Sequence, residues 1–293
     1  MPPPPPPPPF VPDLARLESA ERVFSELTEL HSLALGKDLS AAEREGRGIA
    51  DGAMHSLVYG ETPFRSLGVI LQRVQHLLGV RSFASAVFLD LGAGTGKPVL
   101  AAALLHRWAE CRGIELVEGL HAASLELLER WEDGLPYLPA GERRLRHRIP
   151  AAARATPVRL LRGDVLELDW SDVDVAFACS TCFDAELMAR VSRRAEALRP
   201  GSVVVTCSDA LSSPRFGLLE EVAMTMSWGP CTVYIQQRMH DDDVCGGGGG
   251  GGGGDGVSGE GAGPLAASGG DTALPPGCGA PRAARAPLDA SVR

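Results

Sequence analysis

The stretch Asp90-Leu-Gly-Ala-Gly-Thr-Gly96 sets three glycines at alternate positions directly behind an acidic residue. Glycine has no Cβ, so a chain built this way turns tightly and lets its backbone approach a ligand closely. Two further acids, Glu115 and Asp164, stand at the ends of the next two short apolar runs. A carboxylate at Glu115 can accept both hydroxyls of a ribose, and one at Asp164 can accept an adenine amino group. Polar groups that converge in this way mark a site for a nucleoside-bearing ligand.

Other chemistries fit parts of this stretch. A dinucleotide fingerprint requires Gly-x-Gly-x-x-Gly, but Lys97 occupies the third glycine position; a phosphate loop requires Gly-x-x-x-x-Gly-Lys-Ser/Thr, and Leu91 and Pro98 break it. A plain glycine-rich turn with two exposed loop acids is the simplest alternative. Cys179-Ser-Thr-Cys182 has the spacing of a redox pair or of half a zinc site, with only single cysteines, Cys207 and Cys231, on neighbouring predicted strands. The three acids at successive strand ends favour S-adenosylmethionine (SAM) as the cofactor, with no metal.

The elements that must position these residues follow from the apolar rhythm. Residues 13–35 and 63–79 repeat apolar side chains at helical spacing, through Leu14, Leu17, Val23, Phe24, Leu27 and Leu30, and then from Phe64 to Leu78. Pro63 suits a first helical turn. After residue 85, short apolar runs at 86–90, 111–115, 158–161, 173–178 and 202–206 predict strands; 97–110, 119–131 and 184–198 predict helices between them. Residues 133–156 read as an insertion, and 222–226 with 231–237 as a closing antiparallel pair. Strands that alternate with helices imply a parallel sheet with right-handed crossovers. The expected fold is α/β, a Rossmann-like, mostly parallel seven-stranded sheet with a helical N-terminal extension.

The ends of the chain are of another kind. Residues 2–9 are all proline, which favours polyproline II, and from about Cys245 glycine dominates. The expected division is a Pro-rich segment 1–12, a helical extension 13–84, a catalytic core 85–243 and a Gly-rich tail 244–293, both ends disordered. The net charge of −9 argues against generic nucleic-acid binding, which needs lysine and arginine for phosphate contacts. The basic run Arg143, Arg144, Arg146, His147 and Arg148 reads as a solvated loop. Seven cysteines without framework spacing suggest a reducing compartment. Neither a signal peptide nor a membrane-spanning apolar run is expected.

One further segment carries a family resemblance. Tyr59-Gly60-Glu61-Thr62-Pro63-Phe64 resembles the Tyr-Gly-Glu-Thr-x-Phe loop of the histone H3 lysine methyltransferases of the disruptor-of-telomeric-silencing type, which lack a SET domain. Phe88 to Gly96, Gly113-Ile-Glu115 and Arg162-Gly-Asp164 are similar to that family's remaining cofactor segments, and Ser227-Trp228 to the start of its last hairpin; the likeness spans about residues 54–236. The resemblance implies a class I SAM-dependent methyltransferase in the nucleus. Its partner would be a protein substrate, histone H3 in nucleosomes. It places Tyr59, Gly60, Glu61, Thr62, Asp90, Gly92, Ala93, Gly94, Gly96, Lys97, Glu115, Asp164 and Val165 at the cofactor, and Cys179, Phe183, Trp228 and Tyr234 near the acceptor channel. Lys97, read alone, is a solvated helix start.

The acceptor half departs from the family. A Tyr-Asn pair is replaced by His55-Ser56, an Asn-Asn pair by Cys179-Ser180, and a Tyr-Tyr pair by Val233-Tyr234. These departures leave open a class I methyltransferase with a non-histone protein or small-molecule substrate, or a SAM-binding module without catalysis.

Overall fold

The computed structural model describes residues 9–47, 57–133 and 149–241. The proline run from 2 to 8, the His55-Ser56 pair, the basic run and the glycine-rich tail lie outside them. No helix among the described residues is long and apolar enough to cross a membrane.

Three helices precede the sheet: α1 (Leu14–Leu27), α2 (Leu33–Gly46) and α3 (Phe64–Leu77). The helix expected over 13–35 is instead two. The Ser32 side chain accepts the Leu35 N–H at 3.1 Å and starts α2 afresh. His31, just before it, is buried against the Ala123 carbonyl at 3.0 Å, so the chain turns inward there. Leu14 and Leu30, expected on the apolar stripe, are exposed. Pro63 caps α3 from outside rather than entering its first turn.

The core follows as β1 (Val87–Leu91), α4 (Lys97–Leu105), β2 (Glu110–Glu115), α5 (Glu118–Asp133), α6 (Ala151–Arg154), β3 (Val158–Arg162), β4 (Val175–Ala178), α7 (Ala185–Ala195), β5 (Val203–Cys207), β6 (Phe216–Met226) and β7 (Gly229–Arg238). The sheet order is β3-β2-β1-β4-β5-β7-β6. The first five strands in that order run parallel, and β7 pairs antiparallel with both β5 and β6. α4 stops short of the expected 110 because His106 is already extended. β6 begins six residues before the expected 222, and its alternating burial runs through the earlier residues too.

Alternation along the strands sends successive side chains to opposite faces. Phe88, Val203 and Val205 join a core with Leu67, Leu71, Leu100 and Leu127 from α3, α4 and α5. Leu89, Leu91 and Val204 face the other way, onto Met188, Val191 and Ala195 of α7 and onto Trp170. Because β2 and β4 flank β1 on opposite sides, the crossovers diverge there. That opens a crevice at the carboxyl ends of the strands, where ligands of open α/β sheets bind.

Candidate cofactor and acceptor site

The glycine turn sits at the mouth of this crevice. Gly92, Gly94 and Gly96 all have positive φ, at 83°, 54° and 79°. The backbone N–H groups of Gly92 and Ala93 donate to the Ile114 carbonyl at 2.9 Å each, tying the turn to the end of β2. Glu115 adds a second tie. Its carboxylate accepts the Gly94 N–H and the Val117 N–H, both at 2.7 Å. A Cβ on Gly94 would fall 2.6 Å from the Tyr59 ring, so glycine is needed there for contact as well as for φ. Gly96 plays a different part, since it begins α4 in the left-handed conformation and packs on Ser124 and Leu160.

A cavity of about 380 Å³ opens beside the turn. It is lined by Tyr59, Gly60, Glu61, Thr62, Asp90, Gly92, Ala93, Gly94, Lys97, Glu115, Asp164 and Val165, and toward α7 by Cys179, Phe183 and Trp228. The sequence-predicted residues thus converge, with two corrections. Gly96 does not line the cavity, because it is turned into the packing of α4. Tyr234 does not line it either; it pairs with Thr206 and Glu221 in the middle of β7, and its neighbours Val233 and Ile235 are the residues that point into the core.

Lys97 is not a solvated helix start. Only 12% of its side chain is exposed, and its Nζ lies 2.7 Å from Glu61 Oε1. The same Glu61 oxygen accepts the Tyr59 hydroxyl at 2.8 Å, and Thr95 Oγ1 lies 2.9 Å from that hydroxyl. Burial, then the Glu61 charge, pushes the Tyr59 phenol well above its ordinary range.

Asp90 is the most telling group. It is 1% exposed, and neither carboxylate oxygen has a hydrogen-bond partner. Burial, reinforced by the Glu115 charge, raises its pKa far above the carboxylate norm. Glu115 is raised by burial too, against the opposing pull of its backbone hydrogen bonds. A buried carboxylate without donors is costly unless something supplies them. Asp164 Oδ1 accepts the Leu166 N–H at 2.8 Å, which fixes the turn after β3, and the Trp170 indole donates to the Val165 carbonyl at 2.8 Å.

The residues therefore fit SAM. Orphaned acceptors at Asp90, an acid–base pair at Glu61 and Lys97 suited to an amino acid's ammonium and carboxylate, acids at Glu115 and Asp164, and apolar walls at Leu116, Val117 and Leu166 all meet in one cavity. The apolar walls were missed in the sequence, although each closely follows a strand-end acid. Thr181 and Cys182, in the stretch after β4 that the sequence singles out, also line the cavity; so does Arg190, which nothing in its local pattern announced.

The acceptor end is rich in thiols and hydroxyls. Ser180 is wholly buried; its hydroxyl donates to the Cys207 carbonyl at 2.8 Å and accepts the Cys207 N–H at 3.0 Å. Ser208, with φ 71°, is the one non-glycine of positive φ among the described residues, and its hydroxyl donates to Thr181 Oγ1 at 3.0 Å. Thr181 Oγ1 and Ser208 Oγ lie 3.8 and 3.6 Å from Cys231 Sγ. The neighbouring Cys207, Ser208 and Thr181 push the Cys231 thiol down, while the nearby Cys179 and Cys231, together with burial, push Cys207 up. Cys179 and Cys182 are free thiols, and no group of three or more potential ligands among the described residues is arranged to hold a metal ion.

Fold and cavity together give a Rossmann-like α/β domain, mostly parallel in its sheet, with a crevice at the strand ends whose residues fit SAM. Residues 52–134 match the family model described as histone methylation protein DOT1, a span that contains the Tyr59 loop, the glycine turn and Glu115 but not Asp164 or the acceptor end. Similar solved structures include an RNA methyltransferase from Salinibacter ruber in complex with S-adenosyl-L-homocysteine, at 20% identity over 59% of this chain and 92% of that one, TM-score 0.41. The rRNA methyltransferase aviRa from Streptomyces viridochromogenes is 19% identical over 64% of this chain and 88% of its own, TM-score 0.47. Magnesium protoporphyrin IX methyltransferase from Synechocystis PCC 6803 with bound SAM is 11% identical over 60% and 79%, TM-score 0.43. The search of curated proteins matches nothing.

Proposed function

We propose that this chain is a protein-lysine methyltransferase that acts on histone H3, with the cofactor held by the cavity residues around Asp90, Glu61 and Asp164. One observation carries the reading. The Tyr59–Phe64 loop packs its tyrosine ring directly on Gly94 of the glycine turn, and the histone methylation family match spans both segments.

Bound SAM supplies an activated methyl group on a sulfonium. The protein's own part is to hold and to exclude. Glu61 and Lys97 offer opposite charges to the amino-acid end, and the Asp90 carboxylate accepts from a donor that no described residue supplies. Phe183 and Trp228 wall the acceptor end with two aromatic rings, and a lysine that attacks there must first lose its proton.

A second reading, a different acceptor, has its own support. Ser180 stands where the family has an asparagine, and its hydroxyl is spent on the Cys207 backbone rather than turned to the cavity. Transfer of tritiated methyl to recombinant nucleosomes and free histones separates the two, with Asp164→Asn as control because it keeps the oxygen that accepts from Leu166. Label on histone H3 that falls in the control is expected. No label, from protein that binds S-adenosylhomocysteine in a calorimeter, rejects the histone substrate.

A further inference from the structure

We propose that Ser227 is a positioning residue: it latches the turn between β6 and β7 to Glu61, so that the wall of the acceptor end and the cofactor-facing carboxylate are held as one piece. The inference rests on the reading of the cavity as a cofactor site, but the latch itself is geometry within the chain.

The Glu61 N–H donates to Ser227 Oγ at 3.1 Å, and the Ser227 N–H donates to the Glu61 carbonyl at 3.2 Å. These two residues are 166 positions apart, and each closes one side of a two-bond clasp. Between Val58 and Thr62, the Ser227–Glu61 bond is the only main-chain hydrogen bond to the main chain of another described residue. The loop therefore hangs on the clasp at Glu61, the residue whose side chain joins Lys97 and Tyr59.

The next residue adds a steric register. The Trp228 ring lies over Gly60 so closely that a Cβ there would fall 2.9 Å from Cε3 and Cζ3. Trp228 also lines the cavity beside Phe183. The hairpin that carries the clasp is itself fixed to α3: Ser66 Oγ donates to the Thr225 carbonyl at 2.7 Å, and Arg73 pairs with Glu220. A stiff hairpin thus presents one serine to the loop's backbone and one indole to its glycine. A displacement of Trp228 by an acceptor then reaches Glu61 through two hydrogen bonds, and a displacement of Glu61 by the cofactor reaches Trp228 by the same route.

The tryptophans make the latch observable. Trp108, Trp131 and Trp170 are each 2% exposed, whereas Trp228 is 37% exposed, so acrylamide quenching of the full-length protein reads chiefly Trp228. In ligand-free protein, Ser227→Ala should raise that quenching and speed amide exchange at Glu61 about fivefold, as expected for one lost hydrogen bond. Ser227→Thr, which keeps the hydroxyl, should restore both. S-adenosylhomocysteine should reduce quenching in the wild type and in Ser227→Thr but not in Ser227→Ala, which should bind it about fivefold more weakly. Wild-type exchange and quenching in a folded Ser227→Ala protein overturn the latch. Absence of S-adenosylhomocysteine binding by the wild type overturns the cofactor reading instead, and leaves the ligand-free comparison to decide the latch.

Discussion

Replacing Asp90 with asparagine should stabilise the empty protein and cripple the loaded one. Asp90 is 1% exposed, lacks any partner on either oxygen, and has its pKa raised by burial and by Glu115. A carboxyl group whose folded pKa lies above its unfolded value binds its proton more tightly when folded. Stability is therefore lost as pH rises from the ordinary carboxylate range toward the raised value, and is regained on acidification. Asparagine has the same shape and no charge to bury. An unpaired buried polar group costs about 1–3 kcal/mol, and more when charged. Asparagine remains an unpaired polar group and sheds only the excess cost of the charge, so the variant should gain on the order of 1 kcal/mol near pH 7, at about 2–4 °C in melting temperature for each kcal/mol in a domain of this size. The gain should vanish near about pH 3, where both folded and unfolded aspartate are neutral. Binding should move the other way. A hydrogen bond to a charged group is worth about 1.5–3 kcal/mol, so affinity for S-adenosylhomocysteine should drop about 10- to 150-fold. Thermal melts followed by circular dichroism at both pH values, with calorimetric titration, make the test. A variant less stable than wild type near neutral pH, or one that binds with wild-type affinity, refutes the account of Asp90 as a carboxylate kept for a ligand.

Gly94→Ala should lose more stability than Gly79→Ala in urea unfolding: both positions have positive φ, at 54° and 62°, but a Cβ meets the Tyr59 ring at 2.6 Å in the first and nothing within 4 Å in the second. The shared backbone cost is about 1 kcal/mol, so any excess at Gly94 reads the ring contact alone, and equal losses remove it. His106, whose pKa burial lowers from 6.5 to about 4, should make the fold weaken as pH falls through that interval, because the unfolded chain takes up the proton first. The loss should reach about 3 kcal/mol and be absent in His106→Gln, as read from denaturation midpoints at the two ends of the interval.

What was legible in the sequence divides by range. β1 to β5 were readable within one or two residues because each is a short apolar run bounded by a turn, and Asp90, Glu115 and Asp164 were readable because a strand end and an acid adjoin in the chain. The break between α1 and α2 was not, since Leu30 keeps the helical spacing while Ser32 and the burial of His31, a tertiary contact, end it. Lys97 looked solvated because its partner Glu61 is 36 residues away. Tyr234 looked like a site residue by resemblance, but it stands in mid-β7 and does not line the cavity; strand register, which places it there, is fixed by pairing with β5 and β6 and not by the residue's own neighbours.

The cavity divides in a similar way. The cofactor half is assembled from local pieces: a turn tied to the Ile114 carbonyl, a carboxylate at the end of the neighbouring strand, and a tyrosine ring seated on Gly94, each demanding a residue type for a geometric reason that any substrate would leave in force. The acceptor half is hung from the ends of β4 and β5 and from the β6–β7 turn. There Ser180 bonds to the Cys207 backbone and Ser208 to the Thr181 hydroxyl, while Cys179, Thr181, Cys182, Phe183 and Trp228 reach the cavity. Side chains that brace one another can be exchanged as a set without disturbing the glycine turn, because the bonds that hold them run among themselves. The Ser227 clasp on Glu61 is what ties this wall to the cofactor half. A fold built so can keep its glycine turn and the carboxylates beside it while the opposite wall of the cavity is recut.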